Sequence, residues 1–135
     1  MKSLFQVAAG LDEVLAARGW RYCFIGGIAL QRWGQPRLTN DIDVTILANA
    51  GQEMHFIDEL LKLYRGRLPD ARDFALEHRV LLLASHEGIP IDVALGGIDF
   101  EERAVSRASR YEFLPQLSLL TCSAEDLVVF KSFAD

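Results

Sequence analysis

Two acidic side chains, Asp41 and Asp43, stand in an otherwise apolar stretch, Asp41-Ile42-Asp43-Val44-Thr45-Ile46-Leu47. The alternation of polar and apolar residues predicts a β-strand, and a strand's period of two places both carboxylates on one face. Like charges held so close raise the pKa of one carboxyl unless a cation neutralises them. The pattern therefore indicates a divalent metal ion bound by the pair.

A third acidic residue, Asp92, lies in the apolar stretch 89–94, which we predict to be the second arm of a hairpin with a strand over 80–84. Its side chain points away from the face that carries the apolar residues of the same strand. If the strands of Asp43 and Asp92 are neighbours, three carboxylates converge. Oxygen ligands favour Mg²⁺ or Mn²⁺, and two such ions serve phosphoryl or nucleotidyl displacement. The alternative is a set of unrelated surface acids.

A glycine pair, Gly26-Gly27, follows an aromatic-rich strand predicted over 20–25 and precedes a short helix predicted over 28–33. At a strand-to-helix turn, backbone N–H groups and the helix dipole hold an anion without any side chain. The sequence thus places a candidate anion site shortly before the candidate metal ligands.

Length and composition are those of a globular protein. The chain has 135 residues, 50% hydrophobic and 24% charged, which suits one domain over 1–135 with its own core. The net charge of −5 argues against a non-specific nucleic-acid coat. Cys23 and Cys122 lack metal-ligand spacing and are predicted to be buried free thiols. We expect no membrane association and a cytoplasmic location, because the sequence shows neither a ~20-residue apolar run nor a leader pattern.

Taken together, the motifs resemble the nucleotidyltransferase superfamily, with its glycine pair, D-x-D and later acid. The segments Gly26-Gly27-Ile28-Ala29 and Arg37-Leu38-Thr39-Asn40-Asp41-Ile42-Asp43 are similar to minimal nucleotidyltransferases related to the AbiEii toxins of toxin–antitoxin systems. The ending Ser123-Ala124-Glu125-Asp126-Leu127-Val128-Val129-Phe130-Lys131 is similar to the C-terminal helix of that group. The resemblance implies an α/β (α+β) fold, a mixed β-sheet flanked by helices, with Mg²⁺ (or Mn²⁺) and a nucleoside triphosphate in its cleft.

The resemblance also implies a role for each motif. Asp41 and Asp43 would bridge the metal ions, and Asp92 would hold the ion that activates the acceptor hydroxyl and would accept its proton. The backbone at Gly26-Gly27 would hold the β and γ phosphates. Many members carry serine after the first glycine, where this chain offers only an N–H group, so further cations are expected to bind the triphosphate. The candidates are Arg37, Arg32 and Lys131.

The sequence motifs identify the fold more closely than they identify the substrate. The leading hypothesis is transfer of a nucleoside monophosphate from a nucleoside triphosphate to tRNA or a protein, by a toxin-like chain with an antitoxin partner. One alternative is transfer to a small hydroxylated compound, as in aminoglycoside or lincosamide nucleotidyltransferases, and another is a degenerate nucleotide-binding module without turnover. Because related chains continue beyond the lysine that matches Lys131, we expect a truncated or unusually short domain.

Two weaker features complete the pattern. Thr39 is expected to fix the approach to the acidic strand by a local hydrogen bond rather than to touch substrate. Four arginines could form an RNA-binding rim, for which a solvated helical face is the alternative. They are Arg65, Arg67, Arg72 and Arg79.

Overall fold

Thirteen helices and strands follow one another in the computed structural model, which describes residues 3–34 and 38–134. In chain order they are α1 (Leu4–Ala17), β1 (Tyr22–Ile25), α2 (Gly26–Trp33), β2 (Ile42–Leu47), α3 (Glu53–Leu61), β3 (Arg65–Gly66), α4 (Ala71–His78), β4 (Val80–Ala84), β5 (Pro90–Gly96), α5 (Asp99–Arg107), β6 (Ser109–Leu114), β7 (Leu117–Thr121) and α6 (Ala124–Ala134). The sequence pattern does not predict β3, because two residues are too few to show a period.

All seven strands belong to one mixed sheet in the order β3-β4-β5-β2-β1-β7-β6. Two neighbouring pairs, β2 with β5 and β1 with β7, are parallel, and the other pairs are antiparallel. The predicted hairpin of β4 and β5 is confirmed. The apolar residues on either side of Pro115, at 111–113 and 117–120, predict two edge strands. This is wrong for β7, which lies between β1 and β6 and buries Leu119 completely.

Helices cover the two faces of the sheet unequally. The larger core joins one face of the strands to α1, α3 and α4, and it includes Ile42, Val44 and Ile46 of β2. A smaller apolar cluster lies on the opposite face, where α2, α5 and α6 pack. Since side chains of a strand alternate between faces, the polar residues of β2 are directed to this second side. In the described part of the chain, no helix has the length and apolar character required to cross a bilayer.

The two cysteines lie in the smaller cluster. Cys23 and Cys122 are both free and completely buried, as predicted. Burial disfavours the thiolate and raises the pKa of Cys122 to about 12, and it raises the pKa of Cys23 further. Both thiols are therefore packing groups and not nucleophiles.

Candidate active site

Asp43 on β2 and Asp92 on β5 are direct neighbours across the sheet. The two strands pair in parallel from Ile42 opposite Ile91 to Leu47 opposite Gly96, and this register sets Asp43 opposite Asp92. The expectation that these two strands are adjacent is confirmed. Both carboxylates lie on the face away from the larger core, and Asp41 stands immediately before β2.

The acids interact electrostatically. The pKa of Asp43 is raised from its ordinary value of 3.8 to about 6, first because burial disfavours its charge and then because Asp41 and Asp92 are negative. The positive charge of Arg67 acts in the opposite direction on the same carboxyl. The three acids therefore share one site, in which negative charge is only partly compensated.

Arg67, which follows β3, provides that compensation. Its backbone N–H donates to the carbonyl of Leu82 at 2.9 Å, and Leu82 is paired with Asp92 on the next strand. The Arg67 side chain crosses β4 at this level, and its Nη2 donates to Asp92 Oδ1 at 2.5 Å. The sequence gives no signal for this contact, because it depends on the unpredicted strand β3.

Metal binding can be tested against this geometry. Three carboxylates of one charge on adjacent chain segments are the hard oxygen donors that Mg²⁺ and Mn²⁺ prefer, so the donor chemistry fits. As the side chains stand, however, no three His, Cys, Asp or Glu residues within 3–34 and 38–134 are arranged to hold a metal ion. Asp92 is engaged by Arg67 instead. Arg67 thus occupies one oxygen of Asp92, and a metal ion at all three acids would need the acidic side chains to rearrange.

The glycine pair lies directly beside the acids. Gly26 has φ +62, a conformation that favours glycine, and a Cβ at this position would collide with the carboxylate of Asp43. A Cβ at Gly27 would collide with the hydroxyl of Thr39 and come within 2.9 Å of its Cβ. A side chain is excluded at Gly26 by Asp43 of β2 and at Gly27 by Thr39, which precedes that strand.

The same turn begins helix α2. Its N-cap residue is Ile25, whose side chain has no hydrogen-bond acceptor, and the first turn contains no acidic residue. Within residues 3–34 and 38–134, no capping side chain accepts from the first N–H groups of this helix, so these donors can bind an external acceptor. The predicted anion site at Gly26-Gly27 therefore lies next to Asp43.

Lys131 on α6 shares a cavity with the glycine pair. The cavity has a volume of about 270 Å³. It is lined by Ile25, Gly26, Gly27, Leu30, Asp43, Leu127, Phe130 and Lys131. Lys131 is exposed, so its ammonium group remains available to a ligand at this turn.

An ion-pair network fixes helix α6 against α5. Asp126 is buried and accepts hydrogen bonds from Arg107 Nε at 3.0 Å and Arg107 Nη2 at 2.5 Å. The spacing of Ser123 and Asp126 predicts a capped helix start, and the structure confirms it, because Ser123 Oγ donates to Asp126 Oδ2 and accepts from the Asp126 N–H. Lys131 therefore projects from a helix whose first turn is held in place.

The other candidate cations have different outcomes. Arg32 is tied to the β6–β7 hairpin by hydrogen bonds to the carbonyl of Ser109 and the hydroxyl of Thr121, and its guanidinium stacks on Trp33. It is therefore a packing residue in this structure. Arg37 lies outside the described residues.

Three of the four candidate rim arginines have acidic partners. Arg72 pairs with Asp58, and Arg79 pairs with Glu53. Arg67 pairs with Asp92, as described above. These three arginines serve separate ion pairs in this structure, and the RNA-binding rim stays a prediction.

A larger cavity of about 560 Å³ lies at the opposite end of β2 and β5, beside Leu47 and Gly96. Its arginines are engaged, Arg79 by Glu53 and Arg21 by the hydroxyl of Ser106. The acids and the glycine turn are all at the other end of these strands. We therefore assign the candidate active site to the smaller cavity, because chemistry and not volume decides between them.

The fold has counterparts among solved structures. The chain is similar to an antigenic nucleotidyltransferase-like protein from Paracoccidioides brasiliensis, with a TM-score of 0.61 and 16% identity over 97% of this chain and 65% of that chain. It is also similar to the lincosamide antibiotic adenylyltransferase LnuA in its lincomycin-bound structure, with a TM-score of 0.61 and 15% identity over 93% of this chain and 84% of that chain. No protein-family model and no curated protein matches the sequence.

These comparisons establish the fold. The mixed seven-stranded sheet flanked by helices is nucleotidyltransferase-like, as the sequence predicts. The chain spans 65% of the length of the Paracoccidioides protein. The narrower AbiEii-like assignment stays a prediction.

Proposed function

We propose that the chain is a divalent-metal-dependent nucleotidyltransferase, which transfers a nucleoside monophosphate from a nucleoside triphosphate to an acceptor hydroxyl. The observation that carries the proposal is the placement of Asp43 opposite Asp92 in parallel strands, with the Gly26-Gly27 turn against the Asp43 carboxylate. Acidic oxygens beside uncapped helix N–H groups suit a bound metal ion and a phosphate chain together.

Each residue has a proposed role. Asp41, Asp43 and Asp92 hold Mg²⁺ or Mn²⁺, which when bound lowers the pKa of the acceptor hydroxyl and neutralises charge on the α-phosphate. The N–H groups at Gly26-Gly27 bind the outer phosphates, and Lys131 adds a positive charge at the same cavity. Arg37 keeps its proposed phosphate-binding role from the sequence.

The proposed reaction balances with groups of this chain. The acceptor oxygen forms a bond to the α-phosphorus, the bond from that phosphorus to the β-phosphate oxygen breaks, and pyrophosphate leaves. The acceptor proton passes to the carboxylate of Asp92.

The acceptor has two candidates. A macromolecular acceptor, tRNA or a protein, follows from the sequence resemblance to toxin-like nucleotidyltransferases, and it brings with it a proposed antitoxin partner and a cytoplasmic location. A small hydroxylated compound is supported by the similarity to the lincosamide adenylyltransferase, of which this chain covers 84%. The alternative to both acceptors is that the chain binds nucleotide without turnover, which is supported by the engagement of Asp92 with Arg67.

Label transfer distinguishes these candidates. The protein is incubated with Mg²⁺, each α-labelled nucleoside triphosphate and separate pools of tRNA, cellular protein, lincosamides and aminoglycosides. Label in one pool, lost in Asp43→Asn and retained in the matched variant Glu13→Gln on the exposed face of α1, identifies the acceptor class. Mg²⁺-dependent nucleotide binding without transfer to any pool would favour the binding module and contradict the enzyme.

A further inference from the structure

Arg67 is connected to the candidate metal ligands through the sheet itself. Its backbone pairs with Leu82 on β4, Leu82 pairs with Asp92 on β5, and Asp92 pairs with Asp43 on β2. These residues form one row across the strands. The backbone register thus places Arg67 level with Asp92, and its guanidinium reaches that carboxylate.

The ion pair is partly sheltered from water. The side chains of Arg67 and Asp92 are 29% and 33% exposed, and those of Arg72 and Asp58 are 40% and 47% exposed, so the two ion pairs are comparable in their access to water. A guanidinium in direct contact with a partly buried carboxylate occupies a position where another cation would bind, so the two compete for Asp92. Its charge also acts on Asp43, the central carboxyl of the site.

We propose that Arg67 serves as a built-in counter-ion of Asp92, and that a divalent cation binds the acidic site by exchange with its guanidinium. The inference rests on the proposed function. In the metal-free protein Arg67 neutralises Asp92 and lowers the negative potential at Asp43. When a divalent cation binds, it would take the place of the guanidinium as the partner of the Asp92 carboxylate. The guanidinium of Arg67 would then move away from Asp92 toward solvent.

Exchange has a consequence that distinguishes it from simple structural support. A residue that builds the site weakens cation binding when it is removed, whereas a competitor strengthens cation binding when it is removed. Replacing Arg67 by glutamine removes the charge but keeps a side chain of similar reach. We therefore expect Arg67→Gln to bind Mn²⁺ about five-fold more tightly than the unchanged protein, the lower end of common coupling effects between two ligands.

The test measures Mn²⁺ affinity by electron paramagnetic resonance, without nucleotide or turnover. Arg72→Gln is the matched control, because it removes the same charge from an ion pair with Asp58 that does not involve the acids of the site. A cycle with Asp92→Asn completes the design. Once Asp92 is replaced, the substitution at Arg67 should change Mn²⁺ affinity by no more than Arg72→Gln does.

The exchange can also be tested by NMR in the unchanged protein. In a ¹⁵N-arginine-labelled sample, the side-chain signal of Arg67 should shift on addition of Mg²⁺, while that of Arg72 stays in place. This measurement does not depend on the folding of Arg67→Gln. The side-chain signal of Arg67 can be assigned by its absence from the spectrum of Arg67→Lys.

The outcomes separate the two proposals. Tighter Mn²⁺ binding in Arg67→Gln, together with a moving Arg67 signal, supports the exchange. Mn²⁺ binding that depends on Asp43 but is unchanged or weaker in Arg67→Gln overturns the exchange and leaves the metal site intact. Absence of Asp43-dependent Mn²⁺ binding in both proteins overturns the metal site and the exchange with it.

Discussion

Asp43 lies opposite Asp92 in the parallel pair of β2 and β5, and the carboxylate of Asp43 packs against Gly26. One residue thus joins the acidic site to the turn that begins α2. A single substitution at Asp43 should therefore affect metal binding, nucleotide binding and the stability of the metal-free protein. Each of these effects can be measured separately.

Metal-free stability should depend on pH through Asp43. Its pKa of about 6 in the folded protein exceeds the ordinary value of 3.8, so the folded state binds the additional proton between these values. The stabilisation from this carboxyl is complete below pH 3.8 and is lost as pH rises through about 6. Two pKa units correspond to roughly 3 kcal/mol, and we expect on the order of 1 kcal/mol because the site is partly solvated.

Urea unfolding of the unchanged protein and Asp43→Asn, both in EDTA, checks this dependence. Asparagine does not ionise, so the variant should gain stability relative to the unchanged protein between pH 4 and 7. Mg²⁺ at pH 7 should then stabilise only the unchanged protein. A stability difference that does not vary with pH would contradict a raised pKa of Asp43 in the folded protein. The exposed variant Glu13→Gln is the control.

The space beside Gly27 makes a second prediction. A side chain there meets the Thr39 hydroxyl, so Gly27→Ser should destabilise the protein by about 1–3 kcal/mol through overpacking. Thr39→Gly removes the obstacle, and the double variant should be more stable than the sum of the two single changes requires. Denaturant midpoints give the comparison.

Gly10 provides the control for that series. It lies within α1, and a Cβ there has no neighbouring atom within 4 Å. Gly10→Ser should be neutral or slightly stabilising, because serine has a higher helix propensity than glycine. Strictly additive effects of Gly27→Ser and Thr39→Gly would contradict the packing described for this turn.

Helix α6 should depend on Asp126. Asp126→Ala removes a buried acceptor of hydrogen bonds from Arg107 and Ser123, and we expect a loss of about 2 kcal/mol. The loosened helix should show faster amide hydrogen exchange and weaker nucleotide binding, because Lys131 projects from it. Glu125→Ala, an exposed neighbour on the same helix, should change neither. Nucleotide affinity that is retained despite faster exchange would remove Lys131 from the site.

Sequence patterns predict most of this site because its main relationships are periodic. The alternation in β2 orients Asp43, with Asp41 immediately before the strand, and a lone acid in an apolar strand marks Asp92. The predicted hairpin then makes β5 available as a neighbour of β2. The glycine pair between a strand and a helix marks the turn in the same way.

Other relationships cannot be read from the sequence because they arise between distant segments. Arg67 reaches Asp92 only through the two-residue strand β3, which has no detectable period. Thr39 fills the space beside Gly27 because the approach to β2 folds against α2. Arg32 has a side chain that could bind phosphate. Because β7 lies parallel to β1, however, its guanidinium hydrogen-bonds to Thr121 and packs there.

The most direct test of the proposed site is calorimetric binding of a non-hydrolysable nucleoside triphosphate with Mg²⁺ or with EDTA. The chain should bind the nucleotide with Mg²⁺, and EDTA should weaken binding at least ten-fold, within the range of second-ligand coupling. Asp43→Asn should lose the Mg²⁺ dependence, and Arg72→Gln should retain it. Equal affinity with Mg²⁺ and EDTA, or unchanged Mg²⁺-dependent binding in Asp43→Asn, would contradict a metal-dependent nucleotide site at Asp41, Asp43 and Asp92.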